Sequence, residues 1–258
     1  MADLDFVFLG QTVPTKRVKS DIVQVCAAGY SPTTHTLHRI YPLPVRFGGQ
    51  RWQRYTIPVE RSTTDSRRES LKISSDHRRT NLELLPSDLT PHGKVDRVKA
   101  LRDLQRMVAP SIAYLNDGKS SLGLIRPNHL RGYWQCNPEH APLLDQADLF
   151  SGHRRDITKR GREHWARVAF DDGHQEHDMM LNAWDVYEWH RKHASTNPLD
   201  SLWGRLGFES DQHDHLLLIG NMHRIRNRWL VIAVLQYKRE AVAPAHYPLL
   251  DFIEGSAA

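Results

Sequence analysis

The chain has 258 residues, 40% of them hydrophobic, with 35 Lys/Arg against 30 Asp/Glu and a formal net charge of +5. That is enough for one large domain or two modest ones, and no apolar run approaches the roughly 20 residues a bilayer-spanning helix needs. Two cysteines, Cys26 and Cys136, are too few for a disulfide framework or a four-sulfur zinc site, and the acidic start "MADLDFVFLG" is not a signal peptide, so a cytoplasmic protein with reduced thiols is expected.

In chain order, "DFVFLGQTV" from Asp5 and "DIVQVCAAGY" from Asp21 read as strands. "THTLHRIYPLPV" from Thr34 and "RYTIPVERS" from Arg54 add two more. Four closely spaced strands with no helix between them predict an antiparallel sheet or small barrel over residues 1–85. In "DRVKALRDLQRMV", Val98, Leu101, Leu104 and Val108 make a helical stripe. "SSLGLIRPNHLRGYW" from Ser120 is a short strand or turn, and "EHWARVAF" from Glu163 is a strand. Met180, Ala183, Trp184 and Tyr187 fall at i, i+3, i+4 and i+7, which predicts a helix from His177 to His193. "HLLLIG" from His215 and "RWLVIAVLQYK" from Arg228 read as paired strands. The expected fold class is α+β: a β-rich N-terminal half and a C-terminal helix-and-hairpin half over 86–258. The two halves could form one composite domain.

Positive charge is concentrated. Between Arg39 and Arg79 lie ten Arg/Lys and four acids, and nine of the ten are arginine. Arginine grips phosphate bidentately and stacks on bases, and a clustered basic and aromatic patch is the footprint of a nucleic-acid surface. Arg46, Arg51, Trp52, Arg54, Arg67 and Arg68 are candidates for that surface. The loop Gly220–Arg228 adds Arg224, Arg226 and Arg228 with no acid, as a basic tip that could follow a phosphate backbone. The bland alternative is a solvated arginine-rich face and a solvated turn.

The stretch "FDDGHQEHDMMLNAWDVYEWHRK" raises a catalytic possibility. On the predicted helix His177, Asp178 and Asp185 are candidate catalytic residues, and Asp178 with Asp185 could hold Mg²⁺. His174 and His177 lack a third zinc ligand. The competing reading is an ordinary helix with acids near its start. "DSRRES" from Asp65 has the composition of a salt-bridged turn, or of a carboxylate beside phosphate-gripping arginines. Asp211–His215 reads as a metal pentad or as exposed loop. No phosphate-binding Gly-Lys-Ser/Thr loop, Gly-x-Ser-x-Gly elbow or His-Glu-x-x-His motif is present.

Several blocks together resemble one family of uncharacterised bacterial proteins. They are "VQVCAAGY…LHRIYPLPVRF", "RSTTDSRRESLKI" with Asp65-x-Arg67-x-Glu69-Ser70, "SSLGLIRPNHL" with Ser121-Leu122-Gly123, "HDMMLNAWDVYEW", and "LLLIGNMHRIRNRWLVIAVLQYK". The resemblance covers most of the chain in the same order. It implies one shared architecture and a setting near mobile elements and defence genes, but no activity. Asp185 and Arg68 depart from the family pattern, which more often has glutamate and proline there. The functional expectation is a nucleic-acid-binding protein acting as sensor, recruiter or processing subunit in a bacterial defence or mobile-element system, possessing a protein partner of the same system. The alternatives are a divalent-metal-dependent nuclease or phosphodiesterase, and an interaction subunit whose basic face meets an acidic protein.

Overall fold

The computed structural model describes residues 2–16, 23–44, 49–62, 65–74, 90–137, 164–193, 198–222 and 225–242. Of these, 53% lie in strands and 19% in helices, so the protein is mostly β. This corrects the α+β expectation. The second half is built on two three-stranded sheets, not on one helix and one hairpin.

The first half closes on itself. Strand β1 (Ala2–Gln11) pairs antiparallel with β3 (Val23–Ser31) on one side and with β5 (Gln53–Arg61) on the other. Strand β3 pairs with β4 (Thr36–Pro44), β4 with β6 (Ser70–Ile73) in parallel, and β6 with β5. These five strands form a closed ring. The short β2 (Thr15–Lys16) extends β3, and β7 (Thr90–Lys94) lies along β5. The interior holds Phe6, Phe8, Val25, Ala27, Ile40, Leu43, Ile57 and Ile73. Each such fully buried large side chain contributes roughly 1.5–3 kcal/mol.

Alternation along β1 explains its continuous apolar run. Phe6 and Phe8 face the barrel interior, while Val7 and Leu9 face outward into a second core. A strand buried on both faces has no polar side to alternate with. The second core joins the barrel to the rest of the chain. It combines Val7, Leu9, Ala28 and Tyr30 with Leu216, Leu218, Ile232 and Leu235. The approach is close: a Cβ on Gly10 would lie 2.8 Å from that of Ala233, so only glycine lets β1 cross at this height. Helix α1 (Arg97–Gln105) covers the same core with Ala100, Leu101 and Leu104; Asp96 caps it by accepting from the Val98 and Lys99 N–H groups.

Beyond α1 come α2 (Ile112–Asp117), β8 (Leu122–Ile125) and β9 (Asn128–Cys136), then β10 (His164–Asp171), β11 (Glu176–Met180), α3 (Trp184–His193), α4 (Ser201–Arg205), β12 (His213–Asn221) and β13 (Trp229–Lys238). The sheets run β13-β12-β8 and β11-β10-β9. Between them and helices α3 and α4 lies the third core, with Val168, Phe170, Tyr187, Trp203, Leu217 and Val231.

The predicted helix from His177 is corrected here: His177 to Met180 are strand, and the helix begins at Trp184. The cause is the Asp171-Asp172-Gly173 turn. Gly173 takes φ 89°, a value disfavoured for side-chain-bearing residues, and folds β11 back on β10 with Phe170 opposite His177. Leu181 then bridges to Val231, and Ala183 to Thr12 of the barrel.

Candidate nucleic-acid interface

Two motifs from distant parts of the sequence meet where the barrel touches the β13-β12-β8 sheet. Arg39 on β4 is 4% exposed, and the turn leading into β6 supplies Arg67 and Glu69, each 9% exposed. Arg67 donates from Nε to both Asp65 oxygens (2.8 and 3.0 Å) and from Nη1 to the Asn221 carbonyl at 2.7 Å. Arg39 donates from Nη1 to that same carbonyl at 3.1 Å and from Nη2 to the Ser121 carbonyl. Glu69 returns the contact, accepting from the Ser121 N–H (3.1 Å) and hydroxyl (2.8 Å). Burial alone would raise the Asp65 pKa, but hydrogen bonds from the Arg67 side chain and backbone and from Ser70 hold it at about 2. Burial pulls the Arg39 guanidinium below its ordinary pKa.

This arrangement sorts charge by direction. The local acids turn inward or pair: Asp65 with Arg67, Glu69 with Ser121, Glu60 with Lys72. The remaining arginines point out. Arg61, Arg68, Arg226 and Arg228 are all exposed. They are neighbours, because Arg226 donates to the Ser66 hydroxyl at 3.0 Å and Arg61 donates to the Arg68 carbonyl. The β12–β13 loop stands beside them, its base closed by the Met222 N–H on the Arg228 carbonyl at 3.1 Å.

Other candidate arginines lie elsewhere. Arg51 bonds the Val234 carbonyl (2.7 Å) and pairs with Asp185 (2.6 Å), tying the barrel to α3. Arg54 forks onto Asp5 at 2.6 and 2.8 Å. Trp52 is 9% exposed beneath the Arg97 guanidinium, 5.8 Å from its ring centre, so it offers no open stacking face. The expectation that Arg51, Arg54, Arg67 and Arg68 share a surface with the 220–228 loop is therefore corrected. Only the turn of Arg67 and Arg68 meets that loop, and Arg67 is buried beneath the surface rather than on it. Arg46 and Arg224 lie outside the described residues.

Residues 3–102 match the model of a family described as a domain of unknown function (DUF8758), a segment running from β1 into α1. No curated protein matches the chain. One similar solved structure is described as that of a murine DNA binding protein bound with ds DNA. It shares 6% identity with this chain at a TM-score of 0.31, covering 92% of this chain and 98% of that one. Similarity at that level says nothing about fold or binding here.

The candidate catalytic residues are not assembled as expected. His177 and Asp178 are on β11 and Asp185 is in the first turn of α3. Asp178 accepts from the Tyr133 hydroxyl (2.6 Å) and from Arg167 Nε (3.0 Å), while Asp185 is held by Arg51. The two expected Mg²⁺ ligands thus lie on different elements, and each is paired with an arginine. His177 Nε2 lies 2.8 Å from Asp172 Oδ2. Asp172 also accepts from the Ile112, His174 and Gln175 N–H groups. Burial works against its charge, but these bonds hold its pKa at about 2. A groove of about 770 Å³ opens on the β9–β10–β11 face, with Arg131, Tyr133, Glu176, His177 and Asp178 among its walls. In the Asp211–His215 stretch, Asp214 pairs with Arg239 and His215 Nε2 is 2.7 Å from the Leu206 carbonyl. Among the described residues, no three His, Cys, Asp or Glu side chains are grouped as metal ligands.

Sequence reasoning singled out Arg68, Arg226 and Arg228 but missed Arg61 and Ser66, which adjoin them. The available signal was the pair of motif blocks at 65–70 and 121–123, whose buried polar residues belong to one contact.

Proposed function

We propose that this protein binds nucleic acid through the surface formed by Arg61, Arg68, Arg226 and Arg228. The observation that carries the reading is the sorting of charge at the junction of the 65–70 turn and the β12–β13 loop: acids paired beneath, arginines exposed above. Exposed cations above a hydrogen-bonded base favour phosphate contacts, because fewer groups beneath them must be ordered on binding. The family resemblance extends this to a sensor, recruiter or processing subunit in a bacterial defence or mobile-element system.

The test is fluorescence anisotropy with single- and double-stranded DNA and RNA over a salt series, with and without Mg²⁺. Neutralising two phosphate contacts in Arg226→Ala/Arg228→Ala should reduce the slope of log K against log salt by about 2. Arg51→Ala/Arg54→Ala should leave the slope unchanged, since those cations are already paired within the protein. A parent-like slope in the 226/228 variant would remove this surface as the binding site. Mg²⁺-dependent cutting of the probe would favour a nuclease instead.

A further inference from the structure

Resting on the binding surface proposed above, we infer that the turn between α2 and β8 is its third arm, and that Lys119 there contacts a phosphate of the nucleic-acid backbone. The turn belongs to the same junction. Two residues further on, Ser121 donates from its N–H and hydroxyl to Glu69, the neighbour of Arg68. The Ser121 carbonyl accepts from Arg39 and from the Asn221 N–H, and the Ser120 carbonyl accepts from Asn221 Nδ2 at 3.4 Å. Three residues back, Asn116 accepts from the Trp229 indole N–H at 2.9 Å, and Trp229 adjoins Arg228. Lys119 is therefore bracketed along the chain by residues bonded to the neighbours of two exposed arginines. It is itself exposed, and it forms no ion pair with the described residues.

The residue type is out of place for this backbone. Helix α2 is closed by three bonds: the Gly118 N–H on the Tyr114 carbonyl (3.0 Å), the Lys119 N–H on the Asn116 carbonyl (3.0 Å) and the Ser120 N–H on the Leu115 carbonyl (2.9 Å). In a helix end of this kind the residue after the cap turns left-handed, and glycine is its usual occupant. Here Lys119 takes φ 52° while Gly118 stays right-handed at φ −71°. The glycine falls one place early, and the left-handed position holds a lysine whose Cβ makes that conformation costly. A side chain held where the backbone disfavours it points to use of that side chain. Beside arginines that fork onto phosphate, a compact ammonium supplies a further point charge for the same ligand. The three bonds fix its Cα, so only the side chain must be ordered on contact. Tyr114, 61% exposed, lies two residues from Asn116 and so about 200° around α2 from it, away from Trp229. It therefore offers no stacking face beside the arginines.

The experiment uses the full chain and labelled single- and double-stranded probes, each in two unrelated sequences, over about 50–200 mM salt. Lys119→Gly removes the charge and suits the backbone, so it should melt at or above the parent in a thermal scan. Its plot of log K against log salt should be flatter by about 0.9 on a duplex or about 0.7 on a single strand, the signature of one lost phosphate contact. Across that fourfold salt range its deficit in Kd should shrink roughly threefold. The change should be the same for both sequences, because a phosphate contact carries no sequence information. Lys119→Asn, which also accepts a left-handed backbone, should repeat the flattening, and Lys119→Arg should keep the parent slope. Tyr114→Ala should bind as the parent does. A parental slope in Lys119→Gly overturns the third arm; if Arg226→Ala/Arg228→Ala still flattens the plot, the arginine surface stands. Flattening in Lys119→Arg equal to that in Lys119→Gly, or flattening with one sequence only, overturns the phosphate contact. A clear fall in melting temperature in Lys119→Gly shows a packed side chain and overturns it too. A parent that binds none of the probes overturns both the third arm and the arginine surface.

Discussion

Replacing Arg67 by alanine tests the junction between the barrel and the second half. The guanidinium makes bonds of 2.8 and 3.0 Å to Asp65 and of 2.7 Å to the Asn221 carbonyl, with its side chain 7% exposed and that of Asp65 12% exposed. Removing one partner of a buried pair strands the other charge, which costs about 3–5 kcal/mol. For a chain of this size each kcal/mol moves the melting temperature by roughly 2–4 °C, so a fall on the order of 6–20 °C is expected. The double variant Asp65→Ala/Arg67→Ala removes both charges together. It should be more stable than Arg67→Ala alone, with a coupling energy of about 2–3 kcal/mol in a double-mutant cycle. The assay is urea unfolding followed by circular dichroism at pH 7 on the parent, the two single variants and the double. If Arg67→Ala costs less than about 1 kcal/mol, or if the double variant loses the sum of the singles, then Arg67 and Asp65 do not hold the junction as a pair.

Asp65 and Asp172 have folded pKa values of about 2 against an ordinary 3.8, so the stability they supply is complete above pH 4 and is lost as pH falls from about 4 through 2. After allowance for solvent screening each contributes roughly 1–2 kcal/mol, and an acid titration of the urea midpoint should lose that increment in Asp65→Asn and in Asp172→Asn. In α3 the core side chain is Tyr187 at 1% exposure, with Trp184 only half-buried. Tyr187→Ala should therefore cost about 3–5 kcal/mol and Trp184→Ala clearly less by thermal unfolding, and the reverse order would mean that α3 turns a different face inward.

The β-strands at either end of the chain were legible because their apolar runs are bounded by turn residues. "DFVFLG" and "HLLLIG" could each be placed from sequence alone. The stripe Val98, Leu101, Leu104 likewise located α1. The reading failed at His177–Met180, where helical spacing from His177 through Met180 to Tyr187 spans a strand and a helix in succession. The Asp-Asp-Gly turn just before it was the stronger signal, since a hairpin closed by Gly173 forces extended pairing on β10. The arginine window was legible as charge but not as structure. Arg51 finds Asp185 across 134 residues and Arg67 finds Asn221 across 154, and nothing local in the sequence reports partners so far away. Composition therefore counted as surface several cations that the fold uses inside or pairs.

The separation of Arg67 from Asn221 also has a meaning in time. Synthesis adds roughly 5–20 residues per second, so the barrel strands leave the ribosome on the order of ten to thirty seconds before the carbonyl that accepts from both Arg39 and Arg67 exists. During that interval the hairpins of β3 and β4 can pair, but the outward face of β1 has no β12 or β13 to cover it. The nascent chain thus carries an apolar strand face, and Arg39 and Arg67 without their shared acceptor, until β12 is made. Completion of β12 supplies that acceptor, and only with β13 added is the outward face of β1 covered.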